Sequence, residues 1–153
     1  MSRFLTSLRI RRLEDNSHDG RGTWKLLSPL KYQSDVLDRV VIVPRGFVTD
    51  LASTPRMPLA YLLAGGIAHA AAVVHDFSYS GGIADITREQ ADKLLQEAAV
   101  QCGASSFQAW VLYMGVRIGG ASHWDDLPKP QEPEVAAQME VPPPIVASDL
   151  IAP

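Results

Sequence analysis

With one cysteine, Cys102, the 153-residue chain cannot form an intrachain disulfide, which excludes a disulfide-stapled scaffold and favours a reducing compartment. Cys102 has no obvious activating partner in the sequence, so an inert thiol is expected. No apolar run approaches the ~20 residues a membrane-spanning helix needs. Met1 to Arg12 has neither a long apolar centre nor a small-residue cleavage site, so no secretory leader is expected. The net charge of -3 gives no whole-chain attraction for nucleic acid, and no specific nucleic-acid binding is expected. Also missing are the Gly-x-Ser-x-Gly elbow, the phosphate loop Gly-x4-Gly-Lys-Ser/Thr, the dinucleotide fingerprint and paired Cys/His ligands. No internal repeat is present.

What remains is a chain of 46% apolar and 20% charged residues, enough for one domain with its own core. The charge is uneven. After Trp124 there are six acidic residues against the single base Lys129, together with seven prolines and no aromatic residue. Such a composition cannot build a core, so residues 1–124 are expected to be one globular domain and residues 125–153 an extended, acidic, Pro-rich arm. Pro142, Pro143 and Pro144 are its candidate partner-binding residues.

Within the domain, Leu8, Ile10 and Leu13 between arginines predict a strand, and Asn16 to Gly20 a turn. Thr23–Ser28 alternates as a strand, and after Pro29 the run Leu30–Gln33 predicts an edge strand. Arg39–Val43 is a β-branched run with a buried look. Helical patterning follows. Ile67–Tyr79 predicts a helix with Ile67, Ala70, Val73, Val74 and Phe77 on its core face. Thr87 with Gln90 makes a capping box for a helix to about Gln101 that buries Ala91, Leu94, Leu95 and Ala98. A third helix, about Ser105–Ile118, carries Phe107, Trp110, Val111, Met114 and Ile118 at core spacing. The fold class is therefore α+β: an N-terminal antiparallel sheet, three packed helices and the arm.

The chemistry concentrates opposite the core face of the Ile67–Tyr79 helix. There His75, Asp76 and Tyr79 lie over the small side chains Ala68 and Ala72, where a solvated face would carry lysine or glutamate. The next helix offers Arg88 and Asp92 one turn apart. His75 suits a general base on water, with Asp92 fixing its tautomer. Asp76 suits a divalent cation that polarises a carbonyl, with Asp50 and the Gly65–Gly66 loop carbonyls completing an oxygen shell. Calcium fits better than zinc, because one close histidine makes a poor zinc site. Thr49, Asp50 and Ser53 follow a strand, where loops carry functional groups; Asp50 or Ser53 also suits a helix cap. The competing reading makes His75, Asp76, Tyr79, Arg88 and Asp92 a buried polar network joining two helices without catalysis.

Several stretches in order, Trp24 with Ser28–Tyr32, Val43–Arg56, Ala71–Tyr79, Arg88 with Ala91-Asp92, and Val116-Arg117 with Gly119, resemble a small family of tailed-phage and prophage proteins, a domain of unknown function. That resemblance implies phage origin; together with the arm it leads to the expectation of other phage structural proteins as partners and a place in the virion tail or in the host cytoplasm during assembly. His75-Asp76-x-x-Tyr79 with Asp92 on the following helix is also similar to the phospholipase A2 motif. The likeness implies His75 as base, Asp76 as calcium ligand, Tyr79 as support and Asp92 as orienter. That family's glycine-rich calcium loop has only Ala64-Gly65-Gly66 as a counterpart, and its disulfides are missing. Two functions are expected from these readings. One is a metal-assisted hydrolase acting on a cell-envelope component; the other is a non-catalytic structural or assembly protein docking through its arm.

Overall fold

The computed structural model describes residues 1–13, 22–51, 68–120 and 124. Among the described residues antiparallel strands come first and three helices follow, as the α+β reading requires. The strands are β1 (Arg3–Phe4), β2 (Ile10–Leu13), β3 (Thr23–Leu26), β4 (Leu30–Ser34), β5 (Arg39–Val43) and β6 (Val48–Thr49). The helices are α1 (His69–Tyr79), α2 (Arg88–Gln101) and α3 (Ser106–Gly119).

The strands form two three-stranded sheets, ordered β1-β4-β5 and β2-β3-β6. The strand expected over the first residues splits in two. β1 pairs with β4, placing Phe4 opposite Tyr32, while β2 pairs with β3, placing Ile10 opposite Leu26. The expected edge strand after Pro29 is instead central, because β1 and β5 flank it on both sides. Pro29 precedes β4, so it removes no hydrogen bond from the ladder. Along β4, Leu30, Tyr32 and Ser34 face inward while Lys31 stays in water, the period-2 alternation of a half-buried strand. After Arg39, β5 reads as uniformly apolar, yet only Val41 and Val43 are buried, whereas Val40 and Ile42 lie on the open face.

The core joins Leu26, Leu30, Tyr32, Val41 and Val43 of the sheets to Val73, Val74, Leu94, Leu95, Leu112 and Val116 of the helices. Helix α2 packs against both α1 and α3, burying Ala91, Leu94, Leu95 and Ala98 as their spacing requires. Its capping box forms as read: the Thr87 hydroxyl accepts from the Gln90 amide, and the Gln90 side chain accepts from the Thr87 amide. Thr87→Ala should destabilise the domain by about 1 kcal/mol in thermal denaturation, the usual loss for a removed N-cap. An unforeseen second box, Ser105 with Gln108, starts α3 in the same way.

Helix α3 inverts the expected burial. Phe107, Trp110, Met114 and Ile118 are 71%, 49%, 36% and 79% exposed, while Ala109, Leu112 and Val116 are buried. The helix is apolar on two opposite sides, so periodicity alone does not choose between them. The side with the smaller residues allows a closer approach to α2, and it is the one that packs.

Candidate functional site

The His75 side of α1 also faces inward. From Ala71 to Asp76 every residue is buried, as are Ser78 and Tyr79. His75 and Asp92 have no accessible surface, so that part of the polar region is a helix–helix contact, while Asp76 and Tyr79 line a neighbouring cleft.

Asp92 is the hub of that contact. Its Oδ1 accepts a 2.5 Å hydrogen bond from the Tyr79 hydroxyl and lies 3.5 Å from His75 Nε2. Its Oδ2 accepts from Arg117 Nη1 at 3.0 Å, with Arg88 Nε at 3.8 Å. The Arg88 Nη2 donates to the main-chain oxygens of Val116 and Arg117, at 3.0 and 2.6 Å. It thereby satisfies carbonyls at the C-terminal end of α3, where a cation also complements the helix dipole. One carboxylate thus ties α1, α2 and α3 together.

Burial disfavours the ionised form of Asp92, but the hydrogen bonds from His75, Tyr79 and Arg117 together outweigh it and hold the carboxyl below its ordinary range. Burial first, and then the bond to that anion, push the Tyr79 phenol up. The Tyr79 ring lies 4.3 Å from the His75 ring and meets Trp124 edge-on at 5.1 Å. Gly120 closes this corner. A Cβ there would stand 2.7 Å from the Val116 oxygen and 2.9 Å from the Tyr79 hydroxyl. Gly120→Ala should therefore cost roughly 1–3 kcal/mol in urea unfolding, as overpacking does.

Beside this network lies a cleft of about 370 Å³, lined by Thr23, Phe47, Val48, Thr49, Asp50, Asp76, Tyr79 and Ser80. The end of β6 and the last turns of α1 form it. The Thr49 hydroxyl donates to Asp76 Oδ2 and accepts from the Leu51 amide at 3.0 Å. Leu51 itself adopts φ 55, uncommon for a residue with a side chain.

The fold thus brings the predicted residues together in two adjacent groups. His75, Tyr79, Arg88 and Asp92 share the sealed network, whereas Thr49, Asp50 and Asp76 share the cleft; Tyr79 touches both. Neither His75 nor Asp92 lines the cleft. Among the described residues no three His, Cys, Asp or Glu side chains gather as metal ligands. Asp50 and Asp76 offer hard oxygen donors, which suit calcium better than zinc. Ser53, the Gly65–Gly66 loop and Pro142, Pro143 and Pro144 lie outside the described residues. Sequence reasoning missed Arg117 as a partner of Asp92. Its only local signal was a basic residue in the last turn of a helix.

Residues 24–116 match the family described as Protein of unknown function (DUF1353). The chain belongs to that family. The match runs from Trp24 on β3 to Val116 on α3 and encloses Thr49, Asp50, His75, Asp76, Tyr79, Arg88 and Asp92. Arg117 lies one residue beyond it. No curated protein and no solved structure matches the chain. Among the described residues no helix is long and apolar enough to cross a membrane.

Proposed function

We propose that this DUF1353 protein is a phage-encoded, non-catalytic structural or assembly protein that docks on other phage proteins through residues 125–153. One observation carries the non-catalytic part: His75 and Asp92 have no accessible surface and do not line the neighbouring cleft. A general base must reach the proton it removes, and neither side chain reaches solvent or the cleft. Asp92 is engaged by Tyr79, Arg117 and Arg88, the pattern of a buried charge held for structure. Support for phage origin is the ordered set of motifs from Trp24 to Gly119. Support for docking is the composition of the arm, acidic and rich in proline. A place in the virion, or in the host cytoplasm during assembly, accords with both.

A second reading has its own observation. His75 Nδ1 is buried without a hydrogen-bond partner among the described residues, while Nε2 faces Asp92. An unsatisfied buried nitrogen costs about 1–3 kcal/mol and calls for an explanation. A base poised for water is one such explanation. Asp76 and Asp50 in the adjacent cleft would hold the cation, making a metal-assisted hydrolase that contacts the host envelope transiently.

Complementation of a phage lacking the gene separates the two. Chains carrying His75→Gln that remain folded should restore infectious particles, and chains truncated after Trp124 should fold but fail. Particles that assemble with a well-folded His75→Gln chain yet do not infect would overturn the non-catalytic reading. Calorimetric titration of calcium and zinc, saturable in the native chain and lost in Asp76→Asn, would establish the cation site of the second reading.

A further inference from the structure

The outer face of α3 carries four large apolar side chains that the network, the core and the cleft do not use. Phe107, Trp110, Met114 and Ile118 stand at intervals of three, four and four residues, which places them within about 80° of the helix circumference. All four are exposed, Phe107 and Ile118 by more than two thirds. Arg117 is the single charged residue of α3, and its guanidinium is turned onto Asp92. The stripe is therefore continuous and free of charge, the kind of surface that marks an interaction site. At its N-terminal end Phe107 and Trp110 stack with ring centroids 6.2 Å apart and planes 27° from parallel.

We propose that this stripe is the docking surface for the chain's own segment Val141–Val146, with its three prolines laid over the Phe107–Trp110 pair. From Val141 to Ser148 the sequence contains no charged residue, the only such run after Trp124 that includes consecutive prolines. Three prolines in succession pre-set the extended left-handed helix, so little conformational entropy is lost on docking. Exposed aromatic rings are the surface on which such helices are recognised. On one side of the prolines the flanking Ile145 and Val146 supply apolar contacts for Met114, the next residue along the stripe.

The place where the segment departs supports its choice as occupant. Trp124 is held against Tyr79 beside the C-terminal end of α3. The 16 residues 125–140 then separate it from Val141, a tether of at most ~55 Å when fully extended. Helix α3 with its 14 residues is about 21 Å long, so the whole stripe lies within reach. Tethering raises the effective concentration to roughly millimolar, and a weak apolar contact then suffices. A charge-free stripe offers nothing to select a charged partner, whereas it matches a charge-free run of the same chain. The inference goes beyond the reading of residues 125–153 as a docking element: Val141–Val146 hold the arm to its own domain, and the remainder of the arm is left to meet other phage proteins.

Paramagnetic broadening tests the contact directly in the full chain. A spin label attached at Val141→Cys in a Cys102→Ser background should broaden the Trp110 indole N–H resonance and leave that of Trp24, on β3, sharp. A label at Ile145→Cys should do the same, which guards against one unfavourable attachment site. Adding Phe107→Ser, an exposed position, should restore the Trp110 signal while the remaining spectrum stays that of the folded domain. A sharp Trp110 resonance with both labels overturns the proposal. So does broadening seen only when labelled chains are mixed with isotope-enriched unlabelled ones, since the arm would then serve a second copy. Particle assembly that still requires residues 125–153, with Trp110 sharp throughout, would sink this inference and leave the docking reading standing. Broadened Trp110 with assembly indifferent to truncation would do the reverse.

Discussion

Replacing Asp92 with asparagine should lower the stability of the domain by about 3 kcal/mol, the lower end of what breaking a buried ion pair costs. The lower end applies because its arginine partners keep some contact with water, Arg117 at 34% and Arg88 at 20% exposure, while Asp92 has none. An amide cannot balance either guanidinium. Its N–H₂ would either confront Arg117 Nη1 or require the Tyr79 hydroxyl to turn from donor to acceptor. Thermal unfolding should show the midpoint fall by roughly 10 °C or more. Acid adds a second signature. The native carboxyl titrates below its ordinary range, so its contribution is complete above the unfolded value of about 4 and disappears as pH falls through the folded value. The gap between native chain and variant should therefore be constant near neutrality and close below about pH 4. A gap that persisted unchanged into strong acid would show that the ionised carboxylate is not what the network needs.

Glu97→Ala should cost a similar amount, about 3 kcal/mol, through a different set of bonds. From α2 the Glu97 carboxylate accepts from the amides of Asp35 and Val36 at 2.8 and 3.1 Å. Its other oxygen accepts from the Ser34 hydroxyl at 2.9 Å and the Tyr32 hydroxyl at 3.1 Å. Alanine leaves all four donors without their acceptor, and Tyr32 and Ser34 have no access to water in compensation. Glutamine should be far milder, about 1 kcal/mol. Its oxygen still serves the two amides, and its N–H₂ donates to hydroxyls able to accept. Urea unfolding of both variants distinguishes this account from a general intolerance of the position, which would make the two equally damaging.

Neither hub was equally visible in the sequence. Asp92 stood out because Arg88 precedes it by one turn and because His75-Asp76-x-x-Tyr79 forms a recognisable helical arc. Glu97 carried no signal, since its partners lie 61 to 65 residues earlier in the chain and no local spacing links a mid-helix glutamate to a distant turn. Arg117 is similar. Its position in the last turn of α3 is legible, but its contact with Asp92 depends on how α2 and α3 pack. The cleft was partly legible: Thr49, Asp50 and Asp76 were each singled out, yet only the approach of β6 to the end of α1 places them around one space.

By itself the sequence determined the class and order of elements, the start of α2 at Thr87, and the face of α2 that enters the core. These depend on interactions within one or two turns of chain: periodicity, caps and the φ limits of glycine and proline. Tertiary structure alone decided that the strands divide into two sheets, that β4 is central, and that His75 is sealed. It also decided that α3 turns its larger apolar side outward. In each of these cases two arrangements satisfy the local rules equally. The choice between them falls to packing across long separations in the chain, where the smaller face of α3 allows α2 to come close and Asp92 is covered by three helices at once.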